Sequence, residues 1–254
     1  MSRWQEAQKS EKKCWEKIKG KFMDEKYFNK KTKFWNKILE KINSRVKIDP
    51  KKSMIDIGCG PSGIVLLFKN NKNLVCIDPL INEYKKLNPF LRKYSAKYIN
   101  SKIENFNISK KFDYVFAFNS LDHVDSIEKS LEKIKKLVKK GGFFFLSVNC
   151  HNFKFMQKIL IKTSFIFDNP HPHQYILKDY IAFLKEGGFN PIEVINLDDE
   201  VNFMSSEKNK PSLKKNLYNL TRPYIFLNIF GIPRYAKKNK KSIYSNQLII
   251  AKPK

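Results

Sequence analysis

The residues best placed to do chemistry gather early in the chain. Met54-Ile55-Asp56-Ile57-Gly58-Cys59-Gly60-Pro61-Ser62-Gly63 alternates apolar residues up to a carboxylate, then turns on closely spaced glycines. The apolar run Ile64-Val65-Leu66-Leu67-Phe68 follows. This pattern predicts a buried strand, a glycine turn and a helix reaching about residue 70. Glycines let the backbone approach a ligand, and a helix start presents unpaired N–H groups. Gly58, Gly60 and Gly63 satisfy G-x-G-x-x-G, and Asp78 stands twenty residues beyond Gly58. That is also the dinucleotide fingerprint, so spacing alone does not choose the ligand. Asp56 helps to choose. A carboxylate at the mouth of the turn repels a pyrophosphate and attracts an ammonium or sulfonium group. At the end of the second apolar run, Leu74-Val75-Cys76-Ile77, an acid such as Asp78 can accept both hydroxyls of a ribose.

S-Adenosylmethionine carries both kinds of cation and a ribose. Asp56-Ile57-Gly58-Cys59-Gly60 together with Asp78 resembles motifs I and II of the class I S-adenosylmethionine-dependent methyltransferases. Phe112-Asp113-Tyr114-Val115-Phe116, Leu121-Asp122-His123-Val124 and Leu137-Val138-Lys139-Lys140-Gly141-Gly142 agree with further segments of that family, in the family's order. The resemblance spans about residues 50–150. It implies an α/β fold, a Rossmann-like seven-stranded mostly parallel sheet with helices on both faces. The last two strands, over 189–197 and 245–251, would pair so that one runs antiparallel to the rest. It also implies S-adenosylmethionine as cofactor and S-adenosylhomocysteine as product. The cofactor contacts carried over are Asp56, Gly58, Gly60 and Asp78, with Ile103 and Glu104 at the adenine and Asn119 and Ser120 after the fourth strand. The family often has an acid two residues before Glu104; here Lys102 stands there, leaving the Ile103 backbone N–H as the adenine contact.

The segment Asn119-Ser120-Leu121-Asp122-His123 would border the methyl-transfer site. It holds neither the Asn/Asp-Pro-Pro-aromatic run nor the Pro-Cys pair of two common nucleic-acid methyltransferase classes. The resemblance therefore implies a small-molecule acceptor with an oxygen or nitrogen nucleophile. An RNA methyltransferase using the lysine-rich surface is the alternative. An inactive cofactor-binding scaffold is a third reading, against which the intact Asp56, Gly58, Gly60 and Asp78 argue. His123, His171 and His173 are candidate bases for a hydroxyl acceptor, although a histidine at 123 more often braces the helix that follows. His171-Pro172-His173 lacks a third ligand at fitting spacing, so no metal site is expected.

Composition sets the frame. The 254 residues suffice for one sizeable core with decorations. The formal net charge is +26, nearly all of it lysine. The lysines are spread over the polar sides of the predicted helices, so a solvated surface is favoured over a nucleic-acid patch. Four cysteines, Cys14, Cys59, Cys76 and Cys150, show no C-x-x-C spacing and read as reduced thiols in a cytoplasmic protein. No signal peptide and no apolar stretch of transmembrane length is visible. Peripheral membrane contact stays open, and the sequence carries no signal of oligomeric state.

The elements that must position these residues follow from periodicity. Residues 9–46 read as two helices broken near Gly20, the second capped by Asp24 and apolar at Phe34, Ile38 and Ile42. Their aromatic stripe reads as core by periodicity; the resemblance implies in addition that residues 1–46 form a helical cap over the cofactor, with Trp4, Trp15 and Tyr27 as pocket candidates. The methyltransferase core spans 47–254. A helix over 126–140, ended by Gly141-Gly142, precedes a fifth strand over 143–148, and a further helix is expected over 151–167. Residues 202–242 form a lid-like insert before the last strand, which reads equally as a substrate lid, as an apolar patch for a substrate, membrane surface or second subunit, or as packing against the sheet edge.

Overall fold

The computed structural model describes residues 2–155, 157, 173, 175–205 and 242–254. Helix α1, Arg3–Glu16, opens on a capping box in which Ser2 and Gln5 satisfy each other's backbone N–H groups. A 3-10 turn at Lys19–Met23 breaks the chain at the expected place. Helix α2, Glu25–Asn43, then starts with the Asp24 carboxylate accepting the Lys26 N–H. Phe34, Trp35, Ile38 and Ile42 are its buried stripe, and each such side chain contributes about 1.5–3 kcal/mol by leaving water. They pack against Met54, Phe116, Phe145 and Ile250 of the sheet, so α2 covers one face of the core.

The sheet has seven strands in the order β3-β2-β1-β4-β5-β7-β6. They are β1 Met54–Ile57, β2 Leu74–Ile77, β3 Lys97–Ile99, β4 Phe112–Phe118, β5 Val138–His151, β6 Phe189–Asn196 and β7 Tyr244–Pro253. Strands β1 to β5 pair in parallel, and β7 runs antiparallel to both β5 and β6. Helices α3, Ile81–Leu87, α4, Ile127–Leu137, and α5, Leu177–Glu186, connect them. On the face opposite α2, α4 supplies Ile127, Leu131 and Ile134, and α5 supplies Tyr180 and Leu184, to the other half of the core. This is the Rossmann-like mostly parallel sheet expected from the sequence, and its strand order reverses between β1 and β4, where open α/β sheets bind ligands.

Two local expectations are corrected, and one helix is new. No α-helix follows the glycine turn; the chain makes one 3-10 turn at Ile64–Leu66. Ile64, Val65, Leu66 and Phe68 are all buried, and a polar turn begins at Asn70. So short a segment does not recover the cost of nucleating a helix. Gly141-Gly142 does not end α4. The helix stops at Leu137, Val138 is already extended, and β5 runs through the glycines. Its register shifts against β4 there, and a Cβ at Gly142 would lie 2.9 Å from the Asp113 carbonyl oxygen. Helix α6, Asp198–Ser205, was not anticipated and occupies the start of the expected insert. Its Glu200 pairs with Lys41 of α2 at 2.8 Å. Nearly all the rest of the lid-like insert lies outside the described residues, as does most of the helix expected over 151–167.

An ion-paired knot ties the start of β4 to its neighbours. Asp113 Oδ2 accepts from the Ser53 N–H at 3.0 Å, from Ser53 Oγ at 2.6 Å and from Lys139 Nζ at 2.8 Å. Burial works against the charge, but Lys139 and Ser53 outweigh it and hold Asp113 down to about 2 from 3.8. Asp113→Asn is expected to cost about 1 kcal/mol after allowance for the half-exposed lysine, or about 2–4 °C in melting temperature. A carboxyl held low stabilises the fold above its unfolded value. The penalty should therefore be full at neutral pH and vanish as pH falls from about 4 through about 2. Denaturant melts of both proteins across that range would check it.

Candidate active site

The C-terminal ends of β1, β2 and β4 open into one cavity of about 500 Å³, its mouth included. Of the residues singled out in the sequence, Gly58, Asp78, Ile103, Glu104, Asn119, Ser120 and His123 line it. Gly58 has φ +68°, and a Cβ there would stand 2.3 Å from Ser120 Cβ, so the turn and the end of β4 touch through a bare glycine. Asn119 also takes a left-handed conformation, φ 47°. Its N–H donates to the Ser147 carbonyl at 2.9 Å, which fixes the corner where β4 leaves the sheet.

Asp78 is 6% exposed, and both its oxygens accept backbone N–H groups. Gly60 N–H donates to Oδ2 at 3.0 Å and Leu80 N–H to Oδ1 at 2.8 Å. Burial and the nearby charge of Glu11 nevertheless push Asp78 up to about 7, against those two hydrogen bonds. A carboxylate so placed has lone pairs left over and gains from further donors.

Two predicted contacts stand elsewhere. Asp56 does not line the cavity. It is 2% exposed beneath the turn, accepts the Ile64 N–H, and would meet a Cβ on Gly63 at 2.7 Å. It braces the loop from below; burial, eased by that hydrogen bond and increased by the charge of Asp78, lifts it to about 7. Gly60 is not in the lining either; its part is the bond to Asp78. Glu104 does line the cavity, but its Oε1 accepts the N–H groups of Asp125 and Ser126 and so caps the approach to α4.

The histidines separate. His123 lines the cavity, with Nδ1 3.4 Å from Glu11 Oε2 and Nε2 3.8 Å from Asp122 Oδ1. His173 is outside the lining: its Nε2–H donates to the Val124 carbonyl at 3.0 Å, and its ring stacks on Tyr175. The expectation of His173 as a base is corrected, because that bond turns the ring to the backbone. His171 lies outside the described residues. Of the aromatic candidates, Trp4 lines the cavity, whereas Trp15 packs on Phe22 and Tyr84, and Tyr27 bonds Ser62.

The sequence reading missed the rest of α1. Trp4, Gln8 and Glu11 stand four and three residues apart, on one helix face, and all three line the cavity. Helical spacing was a usable signal, but nothing local says which side of α1 meets the sheet. Glu11 Oε1 accepts from Tyr84 OH at 3.0 Å and from Trp15 Nε1 at 3.3 Å. Lys102 Nζ sits 3.4 Å from the Trp4 ring centroid and 3.3 Å from Asp125 Oδ2.

A chain of net charge +26 thus lines this cavity with Glu11, Asp78 and Glu104 against Lys102, whose ammonium is already paired. Buried Ser120 Oγ and Gln8 Oε1 have no hydrogen-bond partner. Such a cavity fits a ligand that brings hydroxyl and amine donors and positive charge, and it disfavours a pyrophosphate.

Fold and site together define a Rossmann-like α/β domain with a ligand cavity at its strand-order reversal. The sequence matches the methyltransferase domain family over residues 23–194, and the chain belongs to that family. It is 27% identical over 157 residues to the mitochondrial ubiquinone biosynthesis O-methyltransferase of Dictyostelium discoideum, covering 56% of this chain and 49% of that protein. Against (S)-coclaurine N-methyltransferase of Papaver somniferum it is 26% identical, covering 45% of this chain and 34% of that one. The chain therefore spans half or less of the length of these relatives. The fold also resembles geranyl diphosphate C-methyltransferase of Streptomyces coelicolor A3(2), with TM-score 0.59 and 13% identity over 86% of this chain and 78% of that one. Among the described residues, no helix is long and apolar enough to cross a membrane.

Proposed function

We propose that this protein transfers the methyl group of S-adenosylmethionine to a small molecule through an oxygen or nitrogen nucleophile. The observation that carries the reading is the acidic, acceptor-rich cavity at the strand-order reversal of a strongly basic chain. The names of the curated relatives, O- and N-methyltransferases of small molecules, support it.

Gly58, Asp78, Ile103, Asn119 and Ser120 would hold the cofactor, with Asp56 and Gly60 keeping the turn in shape. Asp78 offers its remaining lone pairs to ribose hydroxyls, and Ser120 Oγ offers a donor and acceptor that no protein group uses. Bound here, S-adenosylmethionine supplies an electrophilic methyl group with a good leaving group. What remains for the protein is alignment of the acceptor and exclusion of water, and such orientation can lower a barrier by about 7–11 kcal/mol. Helix α1 excludes water by covering the cavity with Trp4, Gln8 and Glu11. His123, held between Glu11 and Asp122, is positioned to take a proton from a hydroxyl acceptor. With such an acceptor, His123→Ala is expected to slow turnover by about 10²–10⁴-fold while S-adenosylhomocysteine still binds; a loss of binding and turnover together would assign His123 to the cofactor.

The reading extends to a cytoplasmic setting, supported by Cys59, Cys76 and Cys150 standing as buried free thiols. Calorimetric titration tests the core of the proposal. Heat is expected with S-adenosylhomocysteine, and heat with NADH but none with S-adenosylhomocysteine would overturn it.

A further inference from the structure

We propose that Gln8 binds the cofactor, its side-chain carbonyl accepting a hydrogen bond from the nucleoside half of the ligand; this rests on the cofactor reading above. Of the fourteen residues in α1, only Ala7 and Gln8 are buried. Gln8 is 8% exposed, lines the cavity, and keeps Oε1 without a hydrogen-bond partner. An amide oxygen stranded in this way destabilises the unliganded fold, a cost that an apolar residue at the same position would not incur.

The two other cavity-lining residues of α1 bracket it. Trp4 stands over Lys102 at the loop where the adenine is expected. Glu11, one turn beyond Gln8, is taken up by Tyr84 and Trp15 and acts electrostatically on Asp78. Gln8 lies between them on the same helix face and lines the same cavity as Ile103 and Asp78. The lining also holds donors such as Ser120 and Asn119, yet none of them bonds Gln8 Oε1, and a donor on the ligand would satisfy it. A ribose hydroxyl and the adenine amine are donors of the right kind. The family match begins at residue 23, so this contact comes from chain outside the matched segment. Helix α1 then does more than cover the site: part of the affinity depends on its being in place.

The test uses Gln8→Met and Gln8→Leu, which keep helix propensity and bulk but remove the acceptor. S-Adenosylhomocysteine is expected to bind both variants at least about tenfold more weakly than the native chain. Without ligand, both should melt at or above the native temperature, because an unsatisfied polar group has been removed. The same loss is expected with 5′-methylthioadenosine, which lacks the amino acid half. Native-like affinity in both variants would overturn the proposal, as would melting temperatures that fall along with affinity. A loss confined to S-adenosylhomocysteine would overturn the assignment to the nucleoside. No binding by the native chain would instead sink the cofactor reading itself.

Discussion

Asp78→Asn is expected to weaken S-adenosylhomocysteine binding by a hundredfold or more. A buried carboxylate that accepts hydroxyls makes charge-assisted hydrogen bonds of about 1.5–3 kcal/mol each, and two of them account for that loss. The amide cannot imitate the carboxylate, because both oxygens already take backbone N–H groups, from Gly60 and Leu80. An NH₂ turned toward either one meets a donor with a donor and loosens the glycine turn.

The same residue gives a pH signature. Asp78 is raised to about 7 in the folded chain, so between about 4 and 7 the native state binds more protons than the unfolded one. Its contribution to stability is therefore present at low pH and is lost as pH rises through about 7. Compared at each pH, the stability difference should move in favour of Asp78→Asn on going from pH 5 to pH 8. Ligand affinity of the native chain should move the other way, strengthening as the carboxyl ionises. A flat difference in stability, with unchanged affinity in the variant, would remove Asp78 from the site.

Gly58→Ala is expected to damage both the fold and binding. At φ +68° a side chain pays about 1–2 kcal/mol for the left-handed conformation. Its Cβ would also fall 2.3 Å from Ser120 Cβ, and an overlap of that kind costs about 1–3 kcal/mol before the backbone yields. The melting temperature should drop by at least about 5 °C. The shift opens the wall formed by Gly58, Asn119 and Ser120, so S-adenosylhomocysteine binding should be lost. Gly60→Ala separates the two causes. Gly60 has φ +57° but open space around its Cβ position, so it should show the conformational cost without the collision. Equal damage from both substitutions would mean that the contact with Ser120 is unimportant.

Some of the site could be read directly because its chemistry is local. The alternation of Met54 to Ile57, the glycines after it and the acid at Asp78 all lie within one strand–turn–strand unit. There a hydrophobic period of two and a sterically unique residue leave few backbone choices. Asp24 as a helix cap and the buried stripe of α2 were legible for the same reason. The segment after Gly63 was not. Its apolar run permits a helix, and only burial on every side between α2 and the sheet makes it a single turn. The start of β5 was misplaced because Gly141-Gly142 looks like a helix end in isolation. In the fold Gly142 lets β5 pass close to the backbone of β4.

The amino-acid sequence by itself determined the order of the strands, the glycine corner at Gly58 with Asp78 twenty residues on, and the class of enzyme. These depend on periodicity, turn chemistry and spacing along the chain, which a linear string carries in full. Tertiary structure alone decided that Asp56 braces the turn from below, that His123 and not His173 reaches the cavity, and that Trp4, Gln8 and Glu11 roof it. Those outcomes depend on which face of an element is pressed against another across tens of residues. Packing and the cost of burying unpaired charge fix that choice, and both act through space.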